Sequence, residues 1–163
     1  MSRFPQAFVL CFSIALFAMP AAAQDYYGGA SPLEGAYVGT YIGGVTNPGA
    51  WALGGMAGVN FEVSPGIIAG LEAQGGADIS TGNTTWEGMM LARGGVTVSP
   101  DAMVYGEMGF GSINGTTSWG LGGGAEAIVA PQIGVRGEVL GTGPWGNGLN
   151  RAKATAGLVW HVR

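Results

Sequence analysis

The stretch VSPDAMVYGEMGFG, residues 98–111, has two counterparts in the same chain: VSPGIIAGLEAQGG, residues 63–76, and VAPQIGVRGEVLGT, residues 129–142. In each, a small residue and a proline precede an apolar-rich run. A glutamate follows seven residues after each proline: Glu72 after Pro65, Glu107 after Pro100 and Glu138 after Pro131. The runs alternate with period two, the spacing of a β-strand with two unlike faces. Ala102, Val104, Met108 and Phe110 take one face, and Met103, Tyr105 and Glu107 take the other. Ile67, Ala69, Leu71 and Ala73 oppose Ile68, Gly70, Glu72 and Gln74, and Ile133, Val135 and Val139 oppose Gly134, Arg136 and Glu138.

The intervening segments obey the same rule. Trp51, Leu53, Val59 and Phe61 oppose Met56, Asn60 and Glu62; Trp86, Met90 and Val96 oppose Glu87, Leu91 and Arg93. Trp119, Leu121 and Val129 oppose glycines and Glu126. Ala36, Val38 and Ile42 oppose Tyr37 and Tyr41 near the start, and Leu158, Trp160 and Val162 oppose Arg151, Lys153, Thr155 and His161 at the end. Eight strands are predicted. Short turns fall at residues 64–66, 99–101 and 130–132, where proline is tolerated because ladder bonding stops. Longer polar or glycine-rich loops are expected near residues 45–50, 79–85, 113–118 and 142–150. This interleaving is what eight antiparallel strands produce when both termini lie at the short-turn end.

Residues 1–23 carry one basic residue, an apolar run and small residues around Ala21 and Ala23, the pattern of a secretory signal peptide. Residues 24–34 read as a periplasmic tail, and residues 35–163 as the strand-rich domain. The single cysteine, Cys11, lies inside the signal, so no disulfide is expected in the exported part. Without Arg3, five basic residues face ten acidic ones, which opposes nucleic acid as a partner. All 33 glycines follow the signal, a density that opposes soluble helices. Small-xxx-small spacings such as Gly54 and Gly58 leave packed glycine-zipper helices as the competing fold.

Which solvent meets the apolar face decides the architecture. A soluble sandwich would bury it. The opposite face, however, is rich in glycine and poor in lysine, unlike a water-facing sheet. Trp51, Trp86 and Trp119 also each begin an apolar stripe beside a long loop, as aromatics do at a bilayer interface. The prediction is an all-β, eight-stranded, antiparallel up-and-down transmembrane β-barrel. Its apolar stripe meets lipid, and closure satisfies every backbone hydrogen bond. An eight-stranded interior has room only for side chains. Glu62, Glu72, Arg93, Glu107, Glu126, Arg136, Glu138, Arg151 and Lys153 are then expected to form an interior charge network, because a lone buried carboxylate is costly. Trp51, Trp86, Trp119 and Trp160 are the expected interface aromatics.

With these pieces the chain resembles the small outer-membrane β-barrel family of Gram-negative bacteria, in particular the porin-like and opacity-type surface proteins of alphaproteobacteria. The signal, the opening strand GAYVGTYIGG and the closing segment TAGLVWHV carry the likeness. In the closing segment Thr155, Gly157, Trp160 and Val162 fit the family's last-strand signal for the barrel-assembly machinery, although Arg163 stands where the family has an aromatic. The resemblance implies a non-enzymatic envelope protein with a structural or surface-interaction role and outer-membrane lipid around it. A narrow passive pore and a lipid A-modifying enzyme are the alternatives. No ligand or host target is identified.

No catalytic, cofactor or metal site is expected. His161 is the only histidine, and a lumen or interface position accounts for it better than a triad does. Asp78 and Glu87 lack the further oxygen ligands of a calcium site, and a solvated loop is the expected setting. GLGGGAE, residues 120–126, lacks the lysine and the helix of a phosphate loop.

Overall fold

A computed structural model describes residues 31–162. The predicted signal, most of the predicted tail and Arg163 lie outside the described residues. Eight strands follow one another: β1 Gly35–Thr46, β2 Gly49–Ser64, β3 Ile67–Ser80, β4 Asn83–Ser99, β5 Ala102–Ile113, β6 Thr116–Ala130, β7 Ile133–Pro144 and β8 Arg151–Val162. Each pairs antiparallel with the next, and β8 returns to β1 from Ala36↔Val162 to Val45↔Lys153, closing the ring. The described residues contain no helix, which removes the glycine-zipper alternative.

The expected faces are the observed ones. Val38, Leu53, Leu71, Met90, Met108, Leu121 and Leu158 point outward and are exposed, while Tyr37, Met56, Glu72, Arg93, Glu107, Glu126 and Lys153 are buried inside. Trp51, Trp86 and Trp145 stand exposed at one end of the barrel, and Trp160 at the other.

The three proline turns share one construction. The register shifts between Glu62 and Ser64, between Thr97 and Ser99, and between Ile128 and Ala130. Each time, the valine before the small residue and proline is the extra residue of a β-bulge, a device that bends a strand and increases its twist. The carbonyls of Gly66, Asp101 and Gln132 then accept the N–H groups of Thr97, Ile128 and His161 at 2.8–2.9 Å, tying each turn to the next hairpin.

The opposite end differs from expectation. Only the β7–β8 connection is a longer loop. The other three connections are two-residue turns at Asn47 and Pro48, Thr81 and Gly82, and Asn114 and Gly115. Asn114 and Gly115 both have positive φ, 49° and 80°, which fits a tight Asn-Gly hairpin turn. The strands therefore run through polar and glycine-rich sequence that resembled loop, and they reach 12 to 17 residues.

The last residues of the predicted tail fold into the barrel. Leu33 is fully buried among Ile68, Met103 and Tyr105, with Ile128 against them. The Asn60 amide donates to the Leu33 carbonyl at 3.0 Å, and the Glu34 N–H closes a turn onto the Ser31 carbonyl at 2.9 Å. This apolar cap packs into the short-turn end.

Candidate functional site: the buried charge network

Inward-pointing positions at matching depth bring the predicted charges together in the lumen. Glu72 on β3 is the hub. Its Oε2 accepts from Tyr37 Oη and Arg136 Nη1, both at 2.5 Å, and from Arg93 Nη1 at 3.1 Å; its Oε1 accepts from Gln74 Nε2 at 2.8 Å. Glu126 on β6 accepts from Nε and Nη2 of Arg136, at 2.9 and 2.8 Å, both on Oε2, as charge-assisted hydrogen bonds. Glu138 on β7 accepts from Tyr105 Oη at 2.9 Å and from Gln74 Nε2 at 2.8 Å. The arginines also lie over aromatic faces: Arg93 is 3.8 Å from the Tyr105 ring centroid and Arg136 is 5.0 Å from that of Tyr37.

A second group lies toward the Trp51 end. Lys153 Nζ meets Glu87 Oε1 at 2.5 Å and Gln74 Oε1 at 3.3 Å, and Arg151 pairs with Glu87 at 3.0 Å and with Asp78. Asp78 and Glu87 are thus strand residues inside the barrel, correcting the solvated-loop expectation. Their inward positions on β3 and β4 leave them only the lumen to enter, where Arg151 and Lys153 neutralise them.

Glu62 does not join the network. It sits half-buried beside the β2–β3 turn, and its Oε1 accepts the Gly66 N–H at 2.9 Å. It lies ten residues before Glu72 across the turn, so the alternation that gave its face placed it at the rim. His161 is buried in the lumen with Nε2 2.7 Å from Glu126 Oε1 and its ring 5.8 Å from that of Tyr37. Of the predicted assembly signal, Thr155 points inward and is buried, while Trp160 and Val162 face outward.

Sequence reasoning placed Tyr37, Tyr41, Tyr105 and Gln74 on the inner face but not in the network. Tyr41 reaches Glu87 at 3.2 Å. Glycines on facing strands make this reach feasible. A Cβ on Gly58 would fall on the Tyr37 hydroxyl, and one on Gly54 or Gly76 would fall on that of Tyr41. Interior tyrosine opposite interior glycine was the readable signal.

Chemically, the arrangement fills space and pairs most of its charges. Met89, Leu91 and Leu140 form a further packed cluster beside it. With the Leu33 cap, apolar and ionic layers occupy the lumen along its length.

No family model matches the sequence, and no curated protein matches it. Among solved structures, the chain is similar to one described as the de novo design of transmembrane beta-barrels, at 21% identity and a TM-score of 0.58, covering 78% of this chain and 95% of that one. At that identity the likeness concerns the fold alone. The chain has the fold of an eight-stranded, up-and-down transmembrane β-barrel.

Proposed function

We propose that this chain is a non-enzymatic outer-membrane barrel of a bacterial envelope, with a closed lumen and a structural role at the membrane surface. The observation that carries this reading is the combination of an outward apolar belt with a lumen filled by paired charges and an apolar cap. A pore needs an open path, and the buried side chains of Leu33, Glu72 and Leu140, which pack the lumen at three levels, favour a closed one. His161 has its Nε2 occupied by Glu126 and no exposure to lipid, which favours the non-enzymatic reading. Three two-residue turns offer little area to a large partner, so the β7–β8 loop is the main surface for contact. The signal-like N-terminus and the final-strand pattern are consistent with export and with handling by the barrel-assembly machinery.

The test combines membrane fractionation, gel mobility with and without boiling, and planar-bilayer recording. The expected result is an outer-membrane protein whose mobility changes on boiling and which gives no current steps. Reproducible unitary conductance would establish the narrow pore instead, and unchanged mobility in a soluble fraction would reject the barrel in a membrane.

A further inference from the structure

The network is not balanced. Six carboxylates, Glu72, Asp78, Glu87, Glu107, Glu126 and Glu138, are buried in the lumen with four basic side chains, Arg93, Arg136, Arg151 and Lys153. Even a charged His161 leaves one negative charge over. Geometry locates it. Every other carboxylate in the set has a hydrogen bond or an ion pair, but neither oxygen of Glu107 has a hydrogen-bond partner among the described residues, although the residue is only 3% exposed. Arg93 lies directly across from it in the β4–β5 ladder, yet its guanidinium turns to Glu72 at 3.1 Å and toward Glu126 at 3.8 Å. Glu107 also faces two more carboxylates: oxygens of Glu72, Glu107 and Glu138 lie within 4.8 Å of one another. An unpaired buried carboxylate in that company is strongly disfavoured.

We propose that Glu72, Glu107 and Glu138 form a cation site at the centre of the barrel, which takes up one positive charge from solvent as the barrel closes. Oxygen-only ligands suit a proton or a hard metal ion, and either neutralises the surplus at Glu107. The groups facing the site are Arg93 on β4, Tyr105 on β5, Arg136 on β7 and Tyr37 on β1. In the neighbouring layers Glu126 is engaged by His161 and Arg136, and Lys153 by Glu87. Arg136 Nη1 comes no closer to Glu138 Oε2 than 4.0 Å, so the Glu107–Glu138 side of the trio is the undercompensated one.

The test compares the thermal unfolding midpoint of the detergent-folded wild type with that of Glu107→Gln, which keeps the shape and removes the charge. One arm raises the pH in chelator; the other adds Na⁺, Mg²⁺ or Ca²⁺ at fixed pH. The site predicts that one arm moves the wild type and leaves Glu107→Gln comparatively flat. A falling wild-type midpoint with rising pH identifies the proton, and a rise on adding metal identifies the ion. Parallel behaviour of the two proteins in both arms would overturn the site and mean that Glu107 pairs with Arg93 in solution. Should Glu107→Gln not fold, Glu138→Gln is read in the same way. Should neither fold, a wild-type midpoint unmoved in both arms overturns the proposal.

Discussion

At the scale of single residues, Arg136 bridges two carboxylates of the Glu72 group, since it bonds Glu72 through one nitrogen and Glu126 through two others. Removing one partner of a buried pair leaves the other charge unpaired, which typically costs 3–5 kcal/mol. Arg136→Met is expected to lose about that much folding free energy, read by urea unfolding in micelles; a loss below about 1 kcal/mol would mean that the pair is solvated. Tyr37→Phe deletes only a hydroxyl, but Glu72 and Arg93 both use it. A loss of about 1–3 kcal/mol is expected from the same titration. Alternation in the sequence assigned these residues to the inner face correctly. It could not give their reach, because a period of two fixes direction and says nothing about how far a tyrosine extends across a lumen or which glycine makes room for it. Glu62 shows the same limit: its face was readable and its height along the barrel was not.

At the scale of elements, the valine, small residue and proline before each short turn act as a unit. The proline ends ladder bonding and the valine supplies the bulge, so each turn sets its following glutamate at one depth. The repeated spacing was legible; the bulge was not, because a bulged residue keeps ordinary strand composition. The tight turns at the other end were misread because TG, NG and neighbouring serine and threonine serve equally well in a loop or at a strand end. Gly115 is held at φ 80° in one of these turns. Gly115→Ala is expected to cost about 1–2 kcal/mol, the usual penalty for left-handed backbone in a residue with a Cβ. Equal stability of the variant would show that the turn rearranges freely. The cap is a second element with a separable contribution. Leu33→Ala empties a fully buried position between Ile68 and Met103, and a loss of about 2–5 kcal/mol is expected. The same variant should leave bilayer conductance at zero, because the ionic layer beneath the cap still blocks the lumen.

At the scale of the whole molecule, the claim at stake is that the barrel is turned inside out, with hydrocarbon outside and charge within. Met108 is the residue after Glu107, at nearly the same depth on the opposite face, and it is 60% exposed. In a soluble barrel an outward arginine there would meet water and change stability little. In a bilayer the guanidinium must enter hydrocarbon near the middle of the span, where arginine on the lipid face costs about 2–4 kcal/mol. Met108→Arg should therefore be destabilised by that amount in lipid vesicles. Met108→Leu, with similar volume and no charge, should stay within about 1.5 kcal/mol of wild type. The penalty should also fade toward the ends of the strands, so that an arginine at Trp51, which stands in the exposed aromatic row, should cost less than one at Met108. Equal stability of Met108→Arg and Met108→Leu in vesicles would mean that water, rather than lipid, covers this face, and the outward apolar belt would then need a protein partner to explain it.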